Sequence, residues 1–155
     1  MTNKCVPTLP VLPSVGWRER IIFPSLNNAK LIAKVDTGAR SSALHVQNLA
    51  VVEQGGQRCV SFQLPKELFA HQVLSTHEAH QFTLPLIAQR TIKNSGGQQQ
   101  QRCVVDLPIL LGEYHYTIEV TLTCRQAMKY PMLLGRTAIR GRFLVDVATS
   151  FQLSH

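Results

Sequence analysis

The amino-acid sequence predicts one mainly β domain, on three observations: a run of strict polar and apolar alternation, short apolar segments punctuated by glycine, and scarce helical periodicity. The alternation runs from Tyr114 to Cys124, where Tyr114, Tyr116, Ile118, Val120, Leu122 and Cys124 interleave with His115, Thr117, Glu119, Thr121 and Thr123. A period of two places the apolar set on one face, so this stretch reads as a strand with one face buried and one wet. With 155 residues, 45% of them hydrophobic and 16% charged, the chain suits a single domain with a real core and is too apolar for disorder.

Taken in order, residues 1–14 are proline-rich and read as an extended arm, ahead of a domain over 15–155 whose periodic sequence begins near Gly16-Trp17. Leu31-Ile-Ala-Lys-Val35 is a short apolar strand closed by Thr37-Gly38. Gly55-Gly56 then separates Val51-Val52 from the Cys59 to Leu64 run. Pro65 to His71 has room for a helical turn or two, and Arg136 to Arg140 for another. Between the Ile87 to Ile92 and Cys103 to Leu111 runs lies Asn94-Ser-Gly-Gly97 with a polar lead-in, the pattern of a long hairpin with a flexible tip usable as a flap. Phe143-Leu-Val-Asp-Val147 reads as the last strand.

The longest apolar run, Val104 to Leu111, is broken by Asp106 and Pro108, far short of a bilayer span, so no membrane association is expected. The N-terminus has no continuous apolar segment of a secretory signal, which points to the cytoplasm. Cys5, Cys59, Cys103 and Cys124 form no C-x-x-C pair, so reduced thiols are expected. Sixteen basic against nine acidic residues give a net charge of +7, which favours acidic partners. The cations are scattered without aromatic stacking platforms, so nucleic acid is not expected among them.

The chain has three aspartates, Asp36, Asp106 and Asp146. Asp36 stands out because it ends the Leu31 to Val35 strand and opens Asp36-Thr37-Gly38-Ala39, where glycine lets a backbone N–H approach the carboxylate. The same tripeptide also suits a plain Asx turn. Asp106, in Val105-Asp-Leu107, reads as a polar residue on a strand face, and Asp146, in Val145-Asp-Val147, as a buried structural partner. Farther on, Met132-Leu-Leu-Gly135-Arg136 supplies an apolar-apolar-Gly segment.

A strand, Asp-Thr-Gly-Ala, a long hairpin, apolar-apolar-Gly and a closing turn, in that order, resemble one lobe of the aspartic protease fold of the retropepsin type. The longer signature Ala33-Lys-Val-Asp-Thr-Gly-Ala-Arg-Ser-Ser-Ala-Leu-His45, with Gly16-Trp-Arg-Glu19, Arg125, Pro131 to Arg136 and Phe143 to Asp146, resembles the RimK-associated, ATP-dependent zinc protease family. The resemblance implies a single-lobe acid-protease barrel with one or two short helices. It also implies an aspartic endopeptidase with Asp36, Thr37 and Gly38 as catalytic loop, and Ala39, Arg40 and the flap residues Ser95, Gly96 and Gly97 as substrate contacts. Gly135, Arg136 and Asp146 become structural supports.

Such chemistry requires two carboxylates close enough that they cannot both ionise: one activates a water while its protonated partner polarises the peptide carbonyl. One Asp-Thr-Gly per chain therefore implies a homodimer. Retroviral proteases carry a second Asp after Asp-Thr-Gly-Ala that pairs with the Arg following apolar-apolar-Gly. Here Arg40 takes that place, so Asp146 becomes the expected partner of Arg136, and Arg40 is left to turn toward solvent or toward substrate, where it would favour acidic peptides. The alternative from a different class is a noncatalytic module that keeps the fold and binds an acidic peptide or protein.

No cofactor or metal is expected. The segment with His71, His77 and His80 lacks H-E-x-x-H spacing and a third ligand, and a polar loop explains it. His45 has the look of a supporting or a plain turn histidine. No phosphate-cradling glycine loop is present for ATP, and no cysteine sits in a nucleophile motif.

Overall fold

The computed structural model describes residues 11–69, 80–93, 96–124 and 129–154. The strands are β1 (Ser14–Val15), β2 (Arg18–Phe23), β3 (Ala29–Val35), β4 (Ser42–His45), β5 (Gln47–Gln54) and β6 (Gln57–Gln63). They continue as β7 (Gln81–Pro85), β8 (Ala88–Lys93), β9 (Gln99–Leu111), β10 (Tyr114–Thr123), β11 (Met132–Leu134) and β12 (Leu144–Val145). One short α-helix, α1 (Arg136–Ile139), and 3-10 turns at Pro24–Leu26 and Lys66–Phe69 account for the helix among the described residues. The domain is therefore mainly β with short helices, the retropepsin-like single-lobe barrel implied by the sequence.

Hydrogen-bonded neighbours run β10, β4, β11, β3, β2, β9, and β9 pairs back onto β10, closing a six-strand barrel; β8 pairs with the first part of β9, Gln99 to Val104. Closure removes the open edges that a flat sheet would expose. Alternation drives it: in β3, Ala29, Leu31, Ala33 and Val35 point inward while Lys30 and Lys34 are exposed. The interior is filled by side chains such as Phe23, Leu44, Leu107, Ile109, Leu122 and Met132, all essentially inaccessible to water. Separately, β5, β6 and β7 form a three-stranded sheet whose Phe62 and Phe82 pack with Phe69.

The Tyr114 to Thr123 strand alternates as predicted over its first half, then is buried at every position from Val120. The polar Thr121 tolerates this because its hydroxyl donates to the Ser42 carbonyl at 3.1 Å. Cys124 falls beyond the strand and is exposed. Most pairings are antiparallel, but β1 with β12, β10 with β4 and β11 with β3 are parallel. The sheet begins at Ser14, within the predicted arm, where it pairs with Leu144. The predicted strand over Phe143 to Val147 contracts to Leu144–Val145. No helix of the described residues is long and apolar enough to cross a membrane.

Candidate active site

The geometry around Asp36 is set by β11, which lies between β3 and β4: parallel to β3 (Met132↔Ala33, Leu134↔Val35) and antiparallel to β4 (Met132↔Leu44, Leu133↔Ala43). The connection from β3 to β4, residues 36–41, must therefore arch over the end of β11. The Asp36 N–H donates to the Leu134 carbonyl at 2.9 Å, and the N–H groups of Arg136 and Thr137 donate to the carbonyls of Ala39 and Arg40 at 2.8 and 3.0 Å. The Gly135 N–H reaches the Ser42 hydroxyl at 3.1 Å. A Cβ on Gly135 would lie 2.5 Å from the Ser41 carbonyl, so only glycine permits this crossing.

At the crown of the arch, the Gly38 N–H donates to Asp36 Oδ1 at 3.0 Å, the contact expected of either an Asp-Thr-Gly site or an Asx turn. Asp36 is partly buried, Thr37, Gly38 and Arg40 are exposed, and Ala39 is intermediate. The loop thus presents a carboxylate at the surface on a backbone tied down at four points, which is what positioning a reacting group requires.

Arg136 does not pair with Asp146. Its guanidinium donates to the Thr37 carbonyl at 3.0 Å, and Asp146 Oδ1 instead accepts the Ala148 N–H at 2.9 Å, closing an Asx turn. The physical reason is exposure: Arg136 lies at the surface, where water and a carbonyl satisfy it and no buried counter-ion is needed. Asp146 is half-exposed rather than buried. The structure thus brings Asp36, Thr37, Gly38, Ala39, Arg40, Gly135 and Arg136 together and leaves Asp146 out. Gly96 and Gly97 sit exposed at the tip of the β8–β9 hairpin, on a different strand pair, while Ser95 lies outside the described residues.

His45 lies at the opposite end of β4 from the arch. Its N–H donates to the Pro131 carbonyl, and its buried Nδ1 and the Thr123 hydroxyl, register partners across β4 and β10, find no hydrogen bond among the described residues. His71, His77, Arg125 and Cys5 lie outside the described residues. No cluster of three metal-ligating side chains occurs among the described residues, and Gly96 and Gly97 lie at the tip of the β8–β9 hairpin.

Two features next to the arch escaped the sequence. Glu19, flanked by two arginines, is fully buried. Its Oε2 accepts the N–H groups of Gly16 (2.7 Å) and Gln152 (2.8 Å), and its Oε1 those of Leu153 and Ser154 (both 3.1 Å) and the Ser154 hydroxyl (2.7 Å). Burial alone would raise its pKa; the N–H and hydroxyl donors more than offset this and hold it below the usual carboxylate value. The second is an aromatic and guanidinium ladder: Arg18 lies 4.6 Å from the Trp17 ring and 4.9 Å from that of Phe151, and Arg20 stacks on Phe151 at 4.0 Å. The only legible signal was Gly16-Trp17-Arg18-Glu19 as a unit, whose partners lie more than 130 residues away in sequence.

A family model described as RimB-like, retropepsin-like aspartic endopeptidase RimB, matches residues 14–154. Proteins described as "Probable alpha-L-glutamate ligase" from Shewanella halifaxensis and Parasynechococcus marenigrum are 36% and 37% identical over 139 residues, 90% of this chain. The chain spans 29% of the length of each of these relatives. A crystal structure of a Legionella pneumophila protein of unknown function superimposes with a TM-score of 0.71 at 31% identity, over 91% of this chain and 98% of that one.

Proposed function

The chain belongs to the RimB-like family of retropepsin-like aspartic endopeptidases, and from that premise we propose that it hydrolyses peptide bonds as a homodimer with one Asp36 from each copy. The observation that carries the reading is the arch over β11: a surface carboxylate held on a backbone tied at Asp36, Arg136, Thr137 and Gly135, more anchoring than an isolated Asx turn needs.

Across a twofold axis the two Asp36 carboxyls share one proton. The ionised member takes a proton from a water as its oxygen attacks the peptide carbonyl carbon, and the protonated member gives its proton to the carbonyl oxygen. The resulting gem-diol collapses as a proton passes to the amide nitrogen and the C–N bond breaks, leaving a carboxyl and an amine terminus. Thr37 and Gly38 shape the loop, Arg136 holds it from below through the Thr37 carbonyl, and Ala39 and Arg40 face the peptide. Gly96 and Gly97, at the tip of the β8–β9 hairpin, serve as the flap over the completed cleft.

Arg40, exposed and without an acidic partner among the described residues, favours acidic peptides. The test is Asp36→Asn, which keeps size and removes the proton-sharing carboxylate. Hydrolysis of an acidic peptide by the parent should scale with the dimer population and be lost in the variant; equal turnover in the two proteins would refute the site. The noncatalytic binding module is favoured if the parent binds such a peptide, remains monomeric and cuts nothing.

A further inference from the structure

The outer face of β2 and β3, leading into the arch, bears Arg18, Arg20, Lys30 and Lys34 and no acid. Arg18 and Lys34 are direct register partners. Side chains so placed have Cβ atoms about 5 Å apart, and like charges there repel. Neither finds an ion pair among the described residues, where Arg90 with Glu119 is the one formed.

Arg18 is also fixed in place. Besides its two stacking rings, its Nε donates to the Ser150 hydroxyl at 3.2 Å and its Nη1 to that of Tyr130 at 3.5 Å. Phe151 adopts φ +54, an uncommon conformation for a side chain of its size, with its ring between Arg18 and Arg20. A preorganised guanidinium whose partners are hydroxyls and rings, set opposite an unpaired ammonium, is the arrangement that a carboxylate relieves.

Lys34 is the last outward-facing residue of β3 and precedes Asp36 by two residues, about 7 Å along an extended chain. We infer that Lys34 and Arg18 form a carboxylate subsite beside the scissile bond, selecting an Asp or Glu side chain of an extended substrate. This deepens, and rests on, the peptidase reading of Asp36. Side chains on one face of an extended peptide repeat at the same spacing of about 7 Å, so successive acids fit a line of cations. Farther along that line a cleft of about 300 Å³ places Arg20 and Lys30 over Ile22, Leu110 and Leu153, room for a second acid.

Trp17 is the only tryptophan and contacts Arg18, so its fluorescence reports on the subsite. The Asp36→Asn protein, unable to cut, is titrated with a short oligoglutamate peptide and its glutamine counterpart. The expected result is a saturable change with oligoglutamate alone, weakening with salt. In the background of that variant, Lys34→Met should weaken binding about tenfold, an effect of ~1.4 kcal/mol, and Lys34→Arg should restore it; Lys34 is exposed, and melting curves check that folding is kept. Equal binding of the two peptides, or undiminished binding in Lys34→Met, would overturn the subsite. Tight, Lys34-dependent binding together with no cleavage by the unmutated protein would sustain the subsite and sink the peptidase reading.

Discussion

Replacing Glu19 by Gln tests whether this buried carboxylate pins the C-terminal segment to the barrel. Shape is retained, but an amide NH2 takes the place of one oxygen and confronts N–H donors. If it replaces Oε2, the groups of Gly16 and Gln152 lose their acceptor; if Oε1, those of Leu153 and Ser154 do. Hydrogen bonds to a charged group contribute ~1.5–3 kcal/mol each, so two of them set an upper range near 3–6 kcal/mol. Residues 152–154 can peel away and let water satisfy their N–H groups, which limits the loss, and about 3 kcal/mol is expected.

Urea unfolding should show this as a lowered midpoint, and amide exchange should become fast at 152–154. The pH dependence follows from the sign of the shift. The folded-state pKa lies below that of the unfolded chain, so the carboxylate's contribution is complete above the unfolded value of about 4.3 and is lost as pH falls through the folded one. The parent should therefore lose stability on acidification below about pH 4.5, and Glu19→Gln should lose less over that range. A variant within about 0.5 kcal/mol of the parent, with its tail amides still protected, would refute the reasoning.

Gly135→Ala should cost roughly 1–3 kcal/mol, read by denaturant unfolding, because its Cβ meets backbone rather than a movable side chain. Asp146→Ala removes an Asx turn and no ion pair, so a loss of about 1 kcal/mol or less is expected by the same assay; a loss several times larger would restore an ionic role. Tyr116→Phe removes the hydroxyl that donates to the Ala138 carbonyl at 2.9 Å and should destabilise by about 1 kcal/mol. Burial chiefly pushes the pKa of Tyr116 up to about 12, against the opposing charge of Arg142. The phenol's contribution is thus complete below about pH 10 and lost toward 12, a decline that thermal melting should find absent in the Phe variant.

The fold class was legible because β3 and the first half of β10 write their burial directly as alternation, and glycine marks the hairpins. Strand direction was not: a period of two is the same in parallel and antiparallel pairs, so the insertion of β11 beside β3 left no local trace. At the site, Asp36 and Gly135 were legible through their motifs. The Arg136 to Asp146 pairing failed because counting available acids ignores exposure, and a surface guanidinium needs only a carbonyl and water. Glu19 stayed hidden because its partners are backbone N–H groups, which no side-chain pattern announces.

The placement of β11 also governs the order in which the molecule can be assembled. Val35 and Leu44 are close in sequence, yet each must leave a neighbouring lane open for a strand that arrives only at Met132–Leu134. With strands about 4.8 Å apart, β3 and β4 stand roughly 10 Å from one another until then, held as two unzipped edges. Loop closure over so much chain makes this a late and slow event, in the millisecond-to-second range of β topologies with distant pairings. A nascent chain halted before Met132 has no floor beneath the Asp36 arch and two bare edges open to other chains, so ring and arch are completed in one step as the segment from Met132 onward docks.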